Sequence, residues 1–237
     1  MDRPVARVRV AQPLRFLLPA GGRAGELTVP VDGASTLVHV VESLGVPRTE
    51  IGELWMDGRP APPQARPGAG AVIDVLPVRR PQRLGDPRFV LDVHLGTLAR
   101  RMRLLGIDTA YRNDAADPEL VAQARVERRV VLTQDRGLLR RRALPAGAYV
   151  HGSRADDQLL DVLDRFDPPL APWSRCVACN GVLEPVRKQQ ITHLLAHGTR
   201  RSYEQFSRCP ACGRLYWRGA HARRLEAIVA RAAGPPR

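Results

Sequence analysis

"FVLDVHLGTLARRMRLLGIDTAY", residues 89–111, decides the fold. Phe89, Val90 and Leu91 form the short apolar run of a buried strand, closed by Asp92. From His94 onward, apolar residues recur at Leu95, Leu98, Met102 and Leu105, the spacing of one helix face. Arg100, Arg101 and Arg103 fall largely off that stripe. Gly106 supplies the helix stop, and "IDTAY" reads as another short strand. A strand, a helix and a second strand in so short a stretch make the crossover unit of a parallel sheet.

The same alternation continues toward the C-terminus. "DPELVAQARVE" reads as a helix with Asp117 as N-cap and Pro118 at the first helical position. "RVVLTQDRGLL", residues 129–139, is a core strand built from Val130, Val131 and Leu132, and it runs out onto Asp135. "GLLRRRAL" follows as a short helix, "GAYVH" as a strand and "DDQLLDVLDRF" as a closing amphipathic helix. Residues 88–170 are therefore expected to form an α/β domain, a parallel sheet with helices on both faces.

Residues 1–80 read differently. "VARVRV" alternates as a strand does and "LRFLLP" is a second strand-like run. "STLVHVVESLGVP" is a helix with Ser35 as N-cap, stopped by Gly45 and Pro47. "ELWMDGRPA" holds a strand and an Asp57-Gly58 turn, and "GAGAVIDVLPV" is the last strand. This order looks like the β-grasp (ubiquitin-like) fold. The small sulfur carriers of that fold end in a free Gly-Gly. This block instead runs into the Pro-rich linker "RRPQRLGDPR", residues 79–88, so a recognition or scaffold module, with a protein partner, is the better reading.

The chain carries 37 Lys and Arg against 24 Asp and Glu, and only Lys188 is a lysine. The charge is uneven. Residues 171–237 hold 12 basic and 3 acidic residues, net +9, whereas 1–80 hold 10 and 8 and 81–170 hold 15 and 13. A cationic C-terminal quarter suits a polyanion, most simply nucleic acid. No run approaches the roughly 20 apolar residues of a membrane span, and the N-terminus lacks a signal-peptide core. A soluble, cytoplasmic protein is expected.

All four cysteines lie in residues 171–237, as Cys176-Val-Ala-Cys179 and Cys209-Pro-Ala-Cys212, with 29 residues between the pairs. Two disulfides are the alternative. Two Cys-x-x-Cys knuckles in a cytoplasmic chain favour a structural zinc ribbon whose closed thiolate shell leaves no open position. His193 and His197 have helix-face spacing without the Glu of a metalloprotease, and read as surface histidines. In the run that follows, basic residues alternate with Tyr203, Phe206, Tyr216 and Trp217. The aromatics suit either stacking on bases, together with the arginines, or the small core around the zinc, and the core is the better reading. The arginines, among them Arg214, Arg218, Arg223 and Arg224, suit phosphate contacts.

Asp92 ends one strand and Asp135 follows another, and ligand sites of open parallel sheets lie outside the carboxyl ends of the strands. Asp117 opens the intervening helix, with Asp114 nearby. Asp108 and the Asp156-Asp157 pair read as turn or cap residues. Clustered carboxylates repel unless cations join them. Mg²⁺ or Mn²⁺ suits such an oxygen cage and can serve phosphodiester hydrolysis.

The three blocks "FVLDVHLGTLARRMRLLGIDTAY", "DPELVAQARVERRVVLTQDRGLLRR" and "CVACNGVL…FSRCPACGRLYWRGAHARRL" together resemble the Mut-seven C-terminal RNase family, a branch of the PIN-like nucleases with a zinc ribbon appended. The block before them is similar to the ubiquitin-like module that often precedes that domain in bacteria. The resemblance implies a PIN-like fold and metal-dependent RNA cleavage. Its first-strand acid falls on Asp92, its middle-helix acid on Asp117 with Glu119 close by, and its third acid on Asp135. Where PIN nucleases usually carry a further acid or polar group, this chain has Arg136 and Gly137.

The expectation is thus a β-grasp module (1–80), a PIN-like nuclease domain (88–170) and a zinc ribbon with a C-terminal helix (171–237). RNA would be hydrolysed at Mg²⁺ or Mn²⁺ held by Asp92, Asp117 and Asp135, with Arg100, Arg101, Arg136, Arg214 and Arg218 on its phosphates. The alternatives are a non-catalytic RNA-binding adaptor working through the ribbon, and a protein-interaction scaffold working through the β-grasp module.

Overall fold

A computed structural model of the chain describes residues 4–85, 87–218, 227 and 230. They pack as two compact units. One runs to Gln82 and takes in Thr133–Tyr149; the other holds Arg83–Leu132 and the residues from Val150 on.

The first unit is built on β1 (Val5–Val10), β2 (Glu26–Pro30), α1 (Leu37–Ser43), β3 (Ile51–Met56), β4 (Arg59–Pro60) and β5 (Val72–Pro77). The sheet order is β2-β1-β5-β3-β4, with β1 and β5 parallel and the other pairs antiparallel. This is the expected β-grasp arrangement. Alternation along β1 buries Ala6, Val8 and Val10, which pack with Leu37 and Val41 of α1. Asp57 and Gly58 both take positive φ, 52° and 75°, as the tight β3–β4 hairpin requires.

Two local readings are corrected. "LRFLLP" lies mostly within a 3-10 helix, Gln12–Leu17, with Pro13 near its start. Leu14 and Leu17 lie three apart and are both buried, the period of that helix rather than of a strand. The second strand is β2, passed over in the sequence. The cap of α1 is Thr36, whose Oγ1 accepts the His39 N–H at 3.4 Å. Ser35 is already engaged by Asp32, which accepts its N–H at 2.7 Å and its hydroxyl at 3.0 Å.

The second unit holds β6 (Phe89–Leu91), α2 (Gly96–Leu104), β7 (Thr109–Tyr111), α3 (Asp117–Glu127) and most of β8 (Val130–Thr133). β6 lies between β7 and β8 and is parallel to both, with Val90 opposite Ala110 and Val131. Every residue of β6 and β8 is buried, as expected of a sheet covered on both faces. α2 buries Leu98 and Met102, and Gly106, φ 82°, follows its C-cap Leu105. It also buries Arg103, 3% exposed, which the helical stripe had placed outside the core. α3 starts one residue earlier than expected. Asp117 is its first residue and Ala116 is the cap, whose N–H donates to Glu119 Oε2 at 3.3 Å.

α4 (Arg136–Leu139) and β9 (Gly147–Tyr149) belong to the first unit. α5 (Ala155–Phe166) returns to the second, where Phe166 meets Phe89 edge-on, ring centroids 5.2 Å apart. The cysteine region carries β10 (Glu184–Val186), α6 (Lys188–Ile191), α7 (His197–Ser202), β11 (Phe206–Arg208) and β12 (Leu215–Tyr216), its three strands forming an antiparallel sheet. Ile191, Leu195 and Phe206 form its small core with Tyr203 and Leu215 against them. His193 and His197 do not share a helix: the chain is extended at Leu195, between a 3-10 turn holding His193 and α7, which His197 begins. Of the expected C-terminal helix, residues 227 and 230 are described and are helical, whereas Arg223 and Arg224 lie outside the described residues. Among the described residues no helix is long and apolar enough to cross a membrane.

Candidate functional site

The two cysteine pairs adopt one backbone design twice. In the first knuckle the Asn180 N–H donates to the Cys176 carbonyl at 2.9 Å, and the Cys176 N–H to the Gly181 carbonyl at 2.8 Å. In the second, the Gly213 N–H donates to the Cys209 carbonyl at 2.8 Å, and the Cys209 N–H to the Arg214 carbonyl at 2.9 Å. Each turn closes on a residue with positive φ, Asn180 at 72° and Gly213 at 74°.

The four sulfurs all lie within 4.8 Å of one another, with Cys179 and Cys209 at 3.4 Å and Cys176 and Cys212 at 3.6 Å. Zinc–sulfur bonds of about 2.3 Å in a tetrahedron put sulfurs about 3.8 Å apart, so the cluster fits zinc and can hold it. Gly181 makes room: a Cβ there would come within 2.9 Å of Cys209 Sγ and 3.5 Å of Cys179 Sγ. Burial pushes the Cys176 thiol up, but the Tyr216 hydroxyl 3.0 Å away and the amides of Cys179 and Ala178 overcome it and bring it down to about 6. Cys179 goes the other way, to about 12, by burial and by the neighbouring thiols.

Behind the first knuckle lies a polar layer that joins it to the parallel sheet. Arg103 donates from Nε to the Thr109 carbonyl at 2.8 Å and from one terminal nitrogen to the carbonyls of Ala178 at 2.8 Å and Val177 at 3.2 Å. Asn180 accepts the Thr109 N–H at 3.0 Å and donates to Asp108 at 2.8 Å. Asp108 also pairs with Arg129 at 2.6 Å and Arg175 at 3.2 Å. Burial alone would raise its pKa, but hydrogen bonds from Arg129 and Asn180 and the two guanidinium charges hold it below the usual carboxylate range. Sequence reading gave Asp108 a turn or cap role and set Arg103 largely off the apolar stripe of α2. It missed this layer, for which a charged residue one position off an apolar stripe is the only available signal.

The acids are placed as follows. Asp92 directly follows β6 at its carboxyl end and is 6% exposed. Its N–H donates to Leu132 of β8 at 3.1 Å and its carbonyl accepts the Leu95 N–H at 2.9 Å. Tyr111 fixes the turn after it, donating its hydroxyl to the Val93 carbonyl at 2.8 Å. Gly96 lets the ring in, since a Cβ there would fall 2.5 Å from that hydroxyl. Asp117, half-buried, opens α3, which starts soon after β7 ends and therefore at the same edge of the sheet. Glu119 beside it is engaged by Arg112.

Asp135 lies in the other unit. It is exposed and caps α4, accepting the Gly137 N–H at 2.6 Å, while its own N–H donates to Thr133 Oγ1 at 2.8 Å. The four cysteines are a group of His, Cys, Asp or Glu side chains placed to share one ion; no second group of three or more occurs among the described residues.

Of the arginines expected on phosphates, Arg100, Arg214 and Arg218 are exposed. Arg218 lies 5.9 Å from the centre of the Trp173 ring. Arg101 is taken up by Asp156 at 2.5 Å, and Arg136 lies over the Phe16 ring.

Comparison with protein-family models gives two adjoining matches, the Mut7-C RNAse domain over residues 87–229 and the Mut7-C ubiquitin domain over residues 3–83. The chain belongs to the Mut7-C RNase family. The Mut7-C domain spans the parallel sheet and the cysteine cluster together, which agrees with the polar layer that joins them. Its match also contains Asp92, Asp117 and Asp135. No curated protein and no solved structure matches the chain.

Proposed function

We propose that the protein is a PIN-like, metal-dependent ribonuclease that hydrolyses RNA phosphodiester bonds in the cytoplasm, with Asp92, Asp117 and Asp135 as the acids of its active site. The observation that carries this reading is the RNAse-domain match over 87–229, which takes in all three acids. The burial of Asp92 at the carboxyl end of β6 supports it, because a sheet that needed only packing would place an apolar side chain there. Mg²⁺ or Mn²⁺ held by the three carboxylates would supply Lewis acidity and an activated water. Asp92 is held in place by Tyr111 and the β8 backbone, Asp117 by the first turn of α3 and Asp135 by the α4 cap. Arg100 and Arg214 would bind phosphates, and zinc on the four cysteines would hold the ribbon in shape.

Cleavage of single-stranded RNA in Mn²⁺ by wild type and by Asp135→Asn tests the assignment. Loss of about a hundredfold or more in the variant is expected, and equal rates would sink it. A second reading, a non-catalytic RNA-binding adaptor, is favoured by the division of the acids between the two units and the net +9 of residues 171–237. Under it, wild type would bind RNA in a salt-sensitive way and cleave none in Mg²⁺ or Mn²⁺.

A further inference from the structure

Residues 133–149 begin on the last residue of β8 but belong to the compact unit of the ubiquitin-like module. Both ends of this segment meet one side chain of that module. At the start, the Arg136 guanidinium lies 5.5 Å from the centre of the Phe16 ring. At the end, the Tyr149 ring lies 4.8 Å from the same ring, tilted by 56°. A second anchor is Glu50, an acid only 5% exposed, whose Oε1 accepts the Tyr149 N–H at 2.8 Å. A buried carboxylate is costly unless it is hydrogen-bonded, so one that reaches the backbone of a strand 99 positions away in sequence fixes that strand. Gly147 lies against the module too: a Cβ there would be 3.5 Å from the Thr49 methyl and within 2.9 Å of Leu139 and Leu144. Leu138 and Leu139 are buried, so α4 is also held from inside.

Asp135 caps α4 and directly precedes Arg136. We infer that the ubiquitin-like module positions this acid: Phe16 and Glu50 clasp residues 136–149 at both ends and thereby set where the Asp135 carboxylate stands. The inference rests on the ribonuclease reading and gives the module a role inside its own chain, distinct from carrying a group or recruiting a partner. Phe16 and Glu50 are positioning residues, acting through α4 and β9.

The test uses the full, zinc-loaded chain with single-stranded RNA and Mn²⁺. Phe16→Leu removes the shared ring and keeps an apolar side chain. Glu50→Ala removes the acceptor, and Glu50→Gln keeps one oxygen to receive the Tyr149 amide. Phe16→Leu and Glu50→Ala are expected to lower kcat by about tenfold or more with KM within about twofold, since small displacements of a reacting constellation act on kcat. Glu50→Gln should recover most of the loss. Amide exchange at Tyr149 should accelerate by about tenfold in Glu50→Ala while that of Val90 and Val131 stays unchanged. If both variants keep full kcat while Asp135→Asn is inactive, the clasp does not position Asp135 and the inference falls. If Asp135→Asn cleaves as fast as wild type, it is the ribonuclease reading that fails. Should Glu50→Ala melt early, Phe16→Leu decides alone.

Discussion

The cysteine cluster and the acidic residues are built on opposite principles. The cluster consists of two copies of one local turn, each closed by its own backbone hydrogen bonds, and its sulfurs already stand close together. The acids come from a strand end, a helix start and a helix cap, divided between two compact units. A site made of local turns is fixed by spacing in the sequence, and its loss should be structural. Acids set singly at element ends are fixed by no such local turn, and the loss of one should be functional rather than structural.

The contrast breaks most visibly at the cysteines. Metal analysis should find about one zinc per chain. Cys209→Ser should abolish it and expose residues 176–218 to proteolysis, because structural zinc supplies folding free energy on the order of 10 kcal/mol. A variant that stays protease-resistant without zinc would show that the ribbon holds without metal. The opposite behaviour is expected at Asp92. Asp92→Asn should reduce RNA cleavage by about a hundredfold or more and shift the melting temperature by only about 2 °C. A large drop in melting temperature would make Asp92 a structural acid.

Arg103→Met probes the layer that ties the first knuckle to the sheet. It leaves the carbonyls of Thr109, Val177 and Ala178 without this donor, and should cost about 3 kcal/mol in denaturant unfolding of the zinc-loaded chain. Asp108 gives the pH test. Its folded pKa is depressed, so its contribution is complete above the unfolded value of about 3.9 and is lost as pH falls through the folded one. The stability gap between wild type and Asp108→Asn should therefore narrow on acidification below about pH 4, and a gap that widens there would contradict the ion pairs. The smallest effect is expected at Arg214. Arg214→Ser should lower the salt slope of RNA binding by about 0.7, one phosphate contact on a single strand, and an unchanged slope would remove it from the interface.

What could be read in the sequence follows the same divide. The Cys-x-x-Cys spacing, the helical stripe of α2 and the apolar run of β8 are local patterns, and each leads to the element observed. The β-grasp order survives although one strand was misplaced, because the 3-10 turn at Leu14 and Leu17 and a β strand at that point both present a short apolar run. The buried roles of Arg103 and Asp108 could not be read. Each depends on a partner from another element, such as Asn180, 72 positions from Asp108. Nor could the docking of residues 133–149 on the ubiquitin-like module, since Phe16 and Glu50 look like an ordinary apolar residue and an ordinary acid until the chain folds back. For the acids, the sequence points to strand ends and a helix start, which is where Asp92 and Asp117 stand, though with Ala116 rather than Asp117 as the cap.

The paired turns around the cysteines differ at one position. The left-handed place is filled by Gly213 in the second knuckle and by Asn180 in the first. Glycine accepts that backbone shape with no side chain to add, whereas Asn180 takes it and reaches Thr109 and Asp108. The pseudo-symmetric pair is therefore unequal in how firmly each half is seated. The Cys176–Cys179 half is thus tied to the parallel sheet through Asn180, whereas the Cys209–Cys212 half is held as the turn between β11 and β12.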